Sequence, residues 1–174
     1  YEKEISRCHN IQWAKKISLN SAYGAIGNQY FRFYNVNQAS AITTAGQFII
    51  QYVEQQVNKY VNDILQTKDK IDYIVASDTD SIYLCLDKLV DKFCKDKTKE
   101  QKLNFVDKVA KGKIEPFIEK CFEEVAGYTN AFQQKMVMKR EVIADKGIWT
   151  AKKRYMLNVL DEEGFRFEEP KLKI

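Results

Sequence analysis

The spacing of apolar residues changes character along the chain. Residues from about 4 to 29 hold few β-branched side chains and no proline, which predicts a helix. Phe31 to Asn35 alternate as a short aromatic strand would, and Asn37 is placed to cap the next helix. From about 39 to 65, Phe48, Tyr52, Gln55 and Lys59 fall at i, i+4, i+7 and i+11, while Ile49, Val53, Val57, Tyr60, Val61 and Ile64 keep an apolar face going. This predicts a second long helix.

Beyond residue 70 the period shortens to two. Ile71 to Val75 and Ile82 to Leu86 read as the strands of a hairpin whose polar tip is Ala76-Ser77-Asp78-Thr79-Asp80-Ser81. Leu103 to Tyr128 reads as a further helix, with Pro116 its expected kink or break. Met136 to Ala144, Trp149 to Val159 and Phe165 to Glu168 read as strands, with Asp161-Glu162-Glu163-Gly164 as the last turn. The expected class is α+β: an antiparallel sheet covered on one face by long helices.

Composition narrows the picture only modestly. The 174 residues are 45% hydrophobic and 30% charged, which suits a folded domain with a real core. Seven glycines and two prolines exclude a low-complexity chain, and no apolar run approaches a membrane span. The start, Tyr1-Glu2-Lys3-Glu4, has no signal-peptide layout and no Met, as an excised piece would. The net charge of +4 says less than its placement, because basic residues gather at Lys15-Lys16, Lys152-Lys153-Arg154 and Lys171-Lys173. Cys8, Cys85, Cys94 and Cys121 form no C-x2-C pair, and His9 is the only histidine, which argues against a zinc site. The thiols are expected to be small buried apolar groups in a reducing compartment. His9 is expected to be an ordinary helix residue, and Tyr30, Phe31, Phe33 and Tyr34 are expected in the core.

The candidate chemistry begins at the hairpin tip. Asp78 and Asp80 stand two residues apart, so both carboxylates can reach one cavity, and apolar flanks on either side would hold the tip rigidly on a sheet. Such carboxylates hold Mg²⁺ against phosphate oxygens. A surface turn in which the aspartates bond backbone amides is the plain alternative. A calcium loop fits poorly, since Tyr83 falls where glycine is needed. A glycosyltransferase Asp-x-Asp site, which also holds a metal on a diphosphate, is a stronger rival.

On the first helix, Lys16, Asn20, Tyr23, Gly24 and Gly27 share one face. That face offers a cation suited to phosphate, an amide, a hydroxylated ring and two positions open to close approach. It also fits a plain amphipathic helix. In the third region, the alternation of Trp149, Ala151, Tyr155 and Leu157 with Thr150 and Lys152 puts cations on one face of an expected strand. Phosphate contact and a solvated edge both fit.

Three strings, in this order, carry a resemblance. KKISLNSAYG (15–24) resembles the K-x3-N-S-x-Y-G motif of family B DNA polymerases, ASDTDSIY (76–83) the family's Y-G-D-T-D-S segment, and AKKRY (151–155) its K-K-R-Y motif. The text between them, including RFYNVNQASAITTAGQ, KREVI and FEEPKLKI, is similar to the replicative members of T-even-like bacteriophages.

The resemblance implies the C-terminal half of a fingers helix pair over 1–27 and a partial palm over 28–174. In that scheme Lys16, Asn20, Tyr23 and Gly24 bind the incoming nucleotide. Asp80 and, in support, Asp78 hold two Mg²⁺ ions, with Mn²⁺ able to substitute, and Glu141 is an auxiliary carboxylate beside them. Lys152, Lys153, Arg154 and Tyr155 hold the primer-template. The implied activity is two-metal nucleotidyl transfer of a dNTP to a primer 3′-hydroxyl in the intact protein. The implied setting is the cytoplasm of an infected bacterial cell, with a sliding clamp engaged through other regions and no membrane.

Ser77 stands where the family has glycine, Ala76 where it usually has tyrosine, and Lys139 where phage relatives tend to have an acid. The stretch from Asp145 to Trp149 is shorter than the family's glycine-rich segment. No D-x2-S-L-Y-P-S string, the family's first metal aspartate, occurs in the chain. The 174 residues alone are therefore expected not to synthesise DNA.

Overall fold

The computed structural model describes residues 1–67 and 71–174. The chain forms two compact units, Tyr1–Phe48 and Ile49–Ile174. The class is α+β, as expected from the change of period.

In the first unit α1 runs Glu2–Ile26. The expected strand over 31–35 does not form. Short-range bonds take its backbone instead: Phe31 N–H donates to the Asn28 carbonyl, Tyr34 N–H to Phe31, and Asn35 N–H to Ile26. With these groups satisfied locally, the segment has no ladder to join. Tyr30, Phe31, Phe33 and Tyr34 are exposed, not in the core as expected, and Cys8 is exposed as well. The next helix, α2 (Val36–Leu65), starts three residues early. Its cap is Asn35 rather than Asn37, since Asn35 Oδ1 accepts from the Gln38 N–H at 3.0 Å.

In the second unit, Val53, Val57, Val61 and Leu65 of α2 form a buried stripe at four-residue spacing. They meet Ile114, Ile118, Cys121 and Phe122, together with Tyr73 and Leu89. Fully burying such an aliphatic or aromatic side chain contributes roughly 1.5–3 kcal/mol, so this stripe is the main apolar support of the unit. Tyr60 stacks on Phe117 with ring centroids 4.2 Å apart. The Tyr52 hydroxyl donates to Glu124 at 2.6 Å, and that bond, ahead of burial, pushes the phenol up to about 12.

The hairpin is β1 (Ile74–Asp78) and β2 (Ser81–Leu84), an antiparallel pair shifted toward the tip from the expected 71–75 and 82–86. Two asparagines one turn apart on α2 hold its entry. Asn58 accepts from the Tyr73 N–H at 2.9 Å and donates to Asp72, while Asn62 donates to the Ile71 carbonyl at 2.8 Å and accepts from its N–H at 3.1 Å. Ile82 and Leu84 then pack against the core stripe.

A short helix not foreseen, α3 (Asp87–Cys94), comes after the hairpin. The helix expected over 103–128 is broken in two. The first part, α4 (Lys99–Val109), starts from a Thr98–Gln101 capping box. A π-helical turn over Ala110–Ile114 leads to α5 (Glu115–Tyr128). Pro116 sits in the first turn of α5, where its missing N–H is harmless. The irregularity therefore falls just before the proline, and the Glu115 N–H reaches back five residues to the Ala110 carbonyl.

Three strands form a second antiparallel sheet in the order β3 (Val142–Ala151), β4 (Arg154–Glu162), β5 (Phe165–Lys173). The antiparallel strands thus fall in two sheets. The strand expected over 136–144 starts only at Val142. The one expected over 149–159 is interrupted by a turn at Lys152–Lys153. The last strand extends to Lys173, with Pro170 tolerated on a strand paired on one side only.

Asp161, expected in the last turn, instead lies buried in β4. Its carboxylate is held by Arg140 Nη1, by Arg166 Nε at 3.6 Å and by the Gly164 N–H at 2.9 Å. Arg140 also bonds Asp107 of α4 through Nη2 at 2.5 Å, and its own N–H donates to Glu115 at 2.8 Å. Removing one partner of such a cluster strands a buried charge. Arg140→Met should therefore destabilise the fold by about 3–5 kcal/mol. Converting Asp107, Arg140 and Asp161 together to apolar residues should recover most of that loss. Equilibrium urea unfolding checks both, and a change under about 1 kcal/mol for Arg140→Met would mean the cluster behaves like a solvated surface pair.

Candidate active site

The acidic tip is a two-residue turn. Asp78 and Ser81 are paired at the strand ends, leaving Thr79 and Asp80 at the apex. Thr79 has φ +50, a left-handed conformation that a β-branched residue rarely adopts. Strain of this kind costs roughly 1–3 kcal/mol and persists only where the surroundings enforce it. Here the enforcing contacts are the Ser81 hydroxyl donating to the Asp78 carbonyl at 3.2 Å and the Thr79 hydroxyl donating to Asp78 Oδ1 at 3.0 Å. Ser77 carries no positive φ, so serine in place of glycine costs no left-handed strain, and the strained position is Thr79.

Asp78 is half-buried and Asp80 exposed. Among the described residues, the Asp80 carboxylate makes no hydrogen bond or ion pair. Both side chains are hard oxygen donors, which suits Mg²⁺ or Mn²⁺ and not a soft metal. Among the described residues no three acidic, cysteine or histidine side chains gather as a metal site, so Glu141 does not complete a triad with the two aspartates.

Glu141 lies just before β3, and its carboxylate is 3.0 Å from Lys173 Nζ at the end of β5. Lys173 also bonds Glu162 at 3.2 Å. Burial disfavours the Lys173 charge, but the hydrogen bonds to Glu141 and Glu162 outweigh it and hold the ammonium above its usual range. Glu162 is in turn held below the usual carboxylate range, first by its bond from Lys173 and also by Lys171.

The basic run is not on a strand face. Lys152 and Lys153 form the β3–β4 turn, with Lys153 at φ +62, and Arg154 opens β4. Alternation therefore cannot aim these side chains, because a tight turn projects them away from the sheet. All three are exposed, and none makes an ion pair among the described residues. Tyr155 is half-buried and turns inward.

The structure shows a link that periodicity and motif did not reveal. Tyr83 of β2 sits edge-on to Trp149, with centroids 5.4 Å apart, and tilted against Tyr155 at 5.5 Å. Burial, then a hydrogen bond and charge interaction with Tyr155, push the Tyr83 phenol up to about 12, against the opposing pull of Ser81 and Lys173. Glu141, through Lys173, and the basic turn, through Tyr155, thus both border the strand that carries the tip. The available signal was the row of large rings at Tyr83, Trp149 and Tyr155 beside two polar turns.

Lys16, Asn20, Tyr23 and Gly24 lie in the first unit, on one exposed face of α1. A Cβ placed at Gly24 would meet nothing within 4 Å among the described residues of the first unit, so packing there does not require glycine.

The family model for DNA polymerase family B matches residues 2–166. The chain is 45% identical over 170 residues to the DNA-directed DNA polymerase of Escherichia phage RB69, covering 92% of this chain and 19% of that protein. It is 43% identical over an alignment of 183 residues to the DNA-directed DNA polymerase of Enterobacteria phage T4, covering 99% of this chain and 20% of the relative. The chain thus spans about a fifth of the length of these curated relatives.

Gly147 makes room for Trp149. A Cβ there would lie 2.6 Å from Trp149 Cη2 and 2.9 Å from Leu157 Cδ2. Gly147→Ala should push the indole off its seat, at a cost of about 1–3 kcal/mol. In a Trp13→Phe background, the emission of Trp149 should shift to the red. An unshifted spectrum with unchanged stability would show that the strand yields and the ring stays in place.

Proposed function

Because the chain belongs to DNA polymerase family B, we propose that it supplies the palm and part of the fingers of a template-directed DNA polymerase. The palm segment is taken as 28–174 and the fingers helix as 1–27. The reaction is transfer of a nucleotidyl group from a dNTP to a primer 3′-hydroxyl. The observation that carries this reading is the strained tip with the unengaged Asp80 carboxylate, borne on the same strand pair whose Tyr83 touches the base of a turn of unpaired cations. The glycosyltransferase alternative falls with the family assignment.

In this reading Asp80 is the main metal ligand and Asp78 its support. Two Mg²⁺ ions, when bound, supply charge that favours the primer alkoxide and the leaving pyrophosphate. The chain's own residues position and neutralise. Lys16 offers a point charge to the triphosphate, while Asn20, Tyr23 and Gly24 face the new base pair. Glu141, restrained by Lys173, is an auxiliary carboxylate that does not join the Asp78–Asp80 pair in a three-acid group among the described residues. Lys152, Lys153 and Arg154 contact backbone phosphates, which position the duplex without reading sequence. Primer-template DNA and dNTP are the partners, a sliding clamp is engaged by other parts of the protein, and the work is done in the cytoplasm of an infected bacterium. On this reading the chain by itself does not extend a primer, because it carries no D-x2-S-L-Y-P-S string, the segment that supplies the family's first metal aspartate.

One single-turnover incorporation assay tests the catalytic assignments. In the intact polymerase, Asp80→Asn should lower the rate by at least about a thousandfold (on the order of 4 kcal/mol), and Asp78→Asn by less. The isolated chain should show no extension in Mg²⁺. Equal losses for the two aspartates would show their roles misassigned, and metal-dependent extension by the chain alone would overturn the incomplete-site reading.

A salt titration of duplex binding tests the turn. Lys153→Ala should weaken binding and make the slope of log K against log salt shallower by roughly one unit per lost phosphate contact. A loss of affinity without a slope change would place Lys153 at a base edge instead. No change in either would remove the support for duplex contact.

A further inference from the structure

Tyr83 is a ring joint between the two sheets of the second unit. It stands on β2, two residues beyond the Ser81 that anchors the tip and three beyond Asp80. Its ring contacts are Trp149 on β3 and Tyr155 on β4, and those two residues are Cα partners of each other across the hairpin. Tyr155 is two residues beyond Lys153. The shortest route from the unengaged carboxylate to the basic turn therefore runs through one side chain, with a few residues of paired strand on each side.

The contact geometry is directional. The Tyr83 ring stands at 71° to Trp149 and 56° to Tyr155, so two differently angled partners limit its rotation as well as its translation. Trp149 is itself seated by the missing side chain at Gly147. Each apex beyond this joint contains a non-glycine residue of positive φ, Thr79 at one and Lys153 at the other. Tight turns of this kind have little freedom of their own, so movement of the joint is passed on to both ends.

We propose that Tyr83 is a positioning residue that sets the Lys152–Lys153 turn against the Asp78–Asp80 tip, holding the duplex contact and the metal-binding carboxylates in register. This rests on the reading of Lys153 as a duplex contact. Tyr83 itself touches neither substrate nor metal. The two ring contacts carry the register.

The test is a double-mutant cycle in the intact polymerase, using wild type, Lys153→Ala, Tyr83→Leu and the double variant, with Tyr83→Phe as the conservative control. Primer-template Kd and the single-turnover rate at saturating DNA and dNTP are measured for each. Lys153→Ala is expected to weaken binding about fivefold or more in the wild-type background and less than about twofold when Tyr83 is leucine, since a turn out of register has little contact left to lose. Tyr83→Leu is expected to slow incorporation at saturation by about tenfold, and Tyr83→Phe to remain within about twofold of wild type.

A purely structural role for Tyr83 would lower thermal stability yet leave the Lys153→Ala effect the same in both backgrounds, and that result overturns the proposal while leaving the polymerase reading intact. If Lys153→Ala has no effect even in the wild-type background, the duplex-contact reading fails and the proposal falls with it. Where Tyr83→Leu does not fold, Gly147→Ala, which displaces Trp149 from the other side of the joint, takes its place in the cycle under the same criteria.

Discussion

Arg140 gathers charges from three separate parts of the second unit. Its guanidinium engages Asp107 on α4 and the buried Asp161 on β4, and its backbone N–H is held by Glu115 at the start of α5. Asp161 spends its remaining capacity on Arg166 and the Gly164 N–H at the β4–β5 turn. A carboxylate this buried is tolerated only with well-placed partners, because taking it from water costs several kcal/mol. The geometry of the cluster is thus obligatory for the fold. The three-stranded sheet is fastened to α4 and α5 by charge, and Glu141, the next residue along the chain, is placed as a by-product.

The hairpin is fastened by different means. Asn58 and Asn62 hold its entry by backbone hydrogen bonds, and Ile82 and Leu84 sit on the apolar stripe of α2. The two sheets therefore reach their places by separate routes, one polar and specific in angle, the other largely apolar and more permissive. The rings of Tyr83, Trp149 and Tyr155 bring the routes together. Lys173 works alongside them, since it restrains Glu141 and Glu162 while lying close enough to Tyr83 to affect its ionisation.

The long helices and the acidic hairpin were legible because their signals are local. A buried stripe at four-residue spacing and a short polar run between β-branched segments both arise from backbone period. The strand expected at Phe31 to Asn35 failed because alternation of rings says nothing about whether a partner strand is available, and turn bonds took the backbone first. The break in the long helix was readable as to cause, Pro116, but its form, a widened turn upstream, depends on tertiary packing of Ile114. The T-x-x-Q box at Thr98 marked a helix start that the apolar pattern concealed. The basic run was misplaced on a strand because nothing in Lys152-Lys153 advertises a left-handed turn residue. The hairpin tip that carries Asp78 and Asp80 was legible from type and spacing, whereas Asp161 gave no warning, since its burial depends on Arg140, 21 residues away.

Thr79 and Lys153 occupy backbone positions for which their side chains are poor choices. Asparagine and glycine adopt such conformations at little cost. A protein engineer seeking thermostability by turn optimisation would therefore be drawn to these two apices first, and would gain stability there. The same replacements would erase a hydroxyl bound to Asp78 and a cation at the sheet's outer turn. Under the proposed function, stability and activity conflict at these two residues in particular, and a stability screen alone would select against the tips.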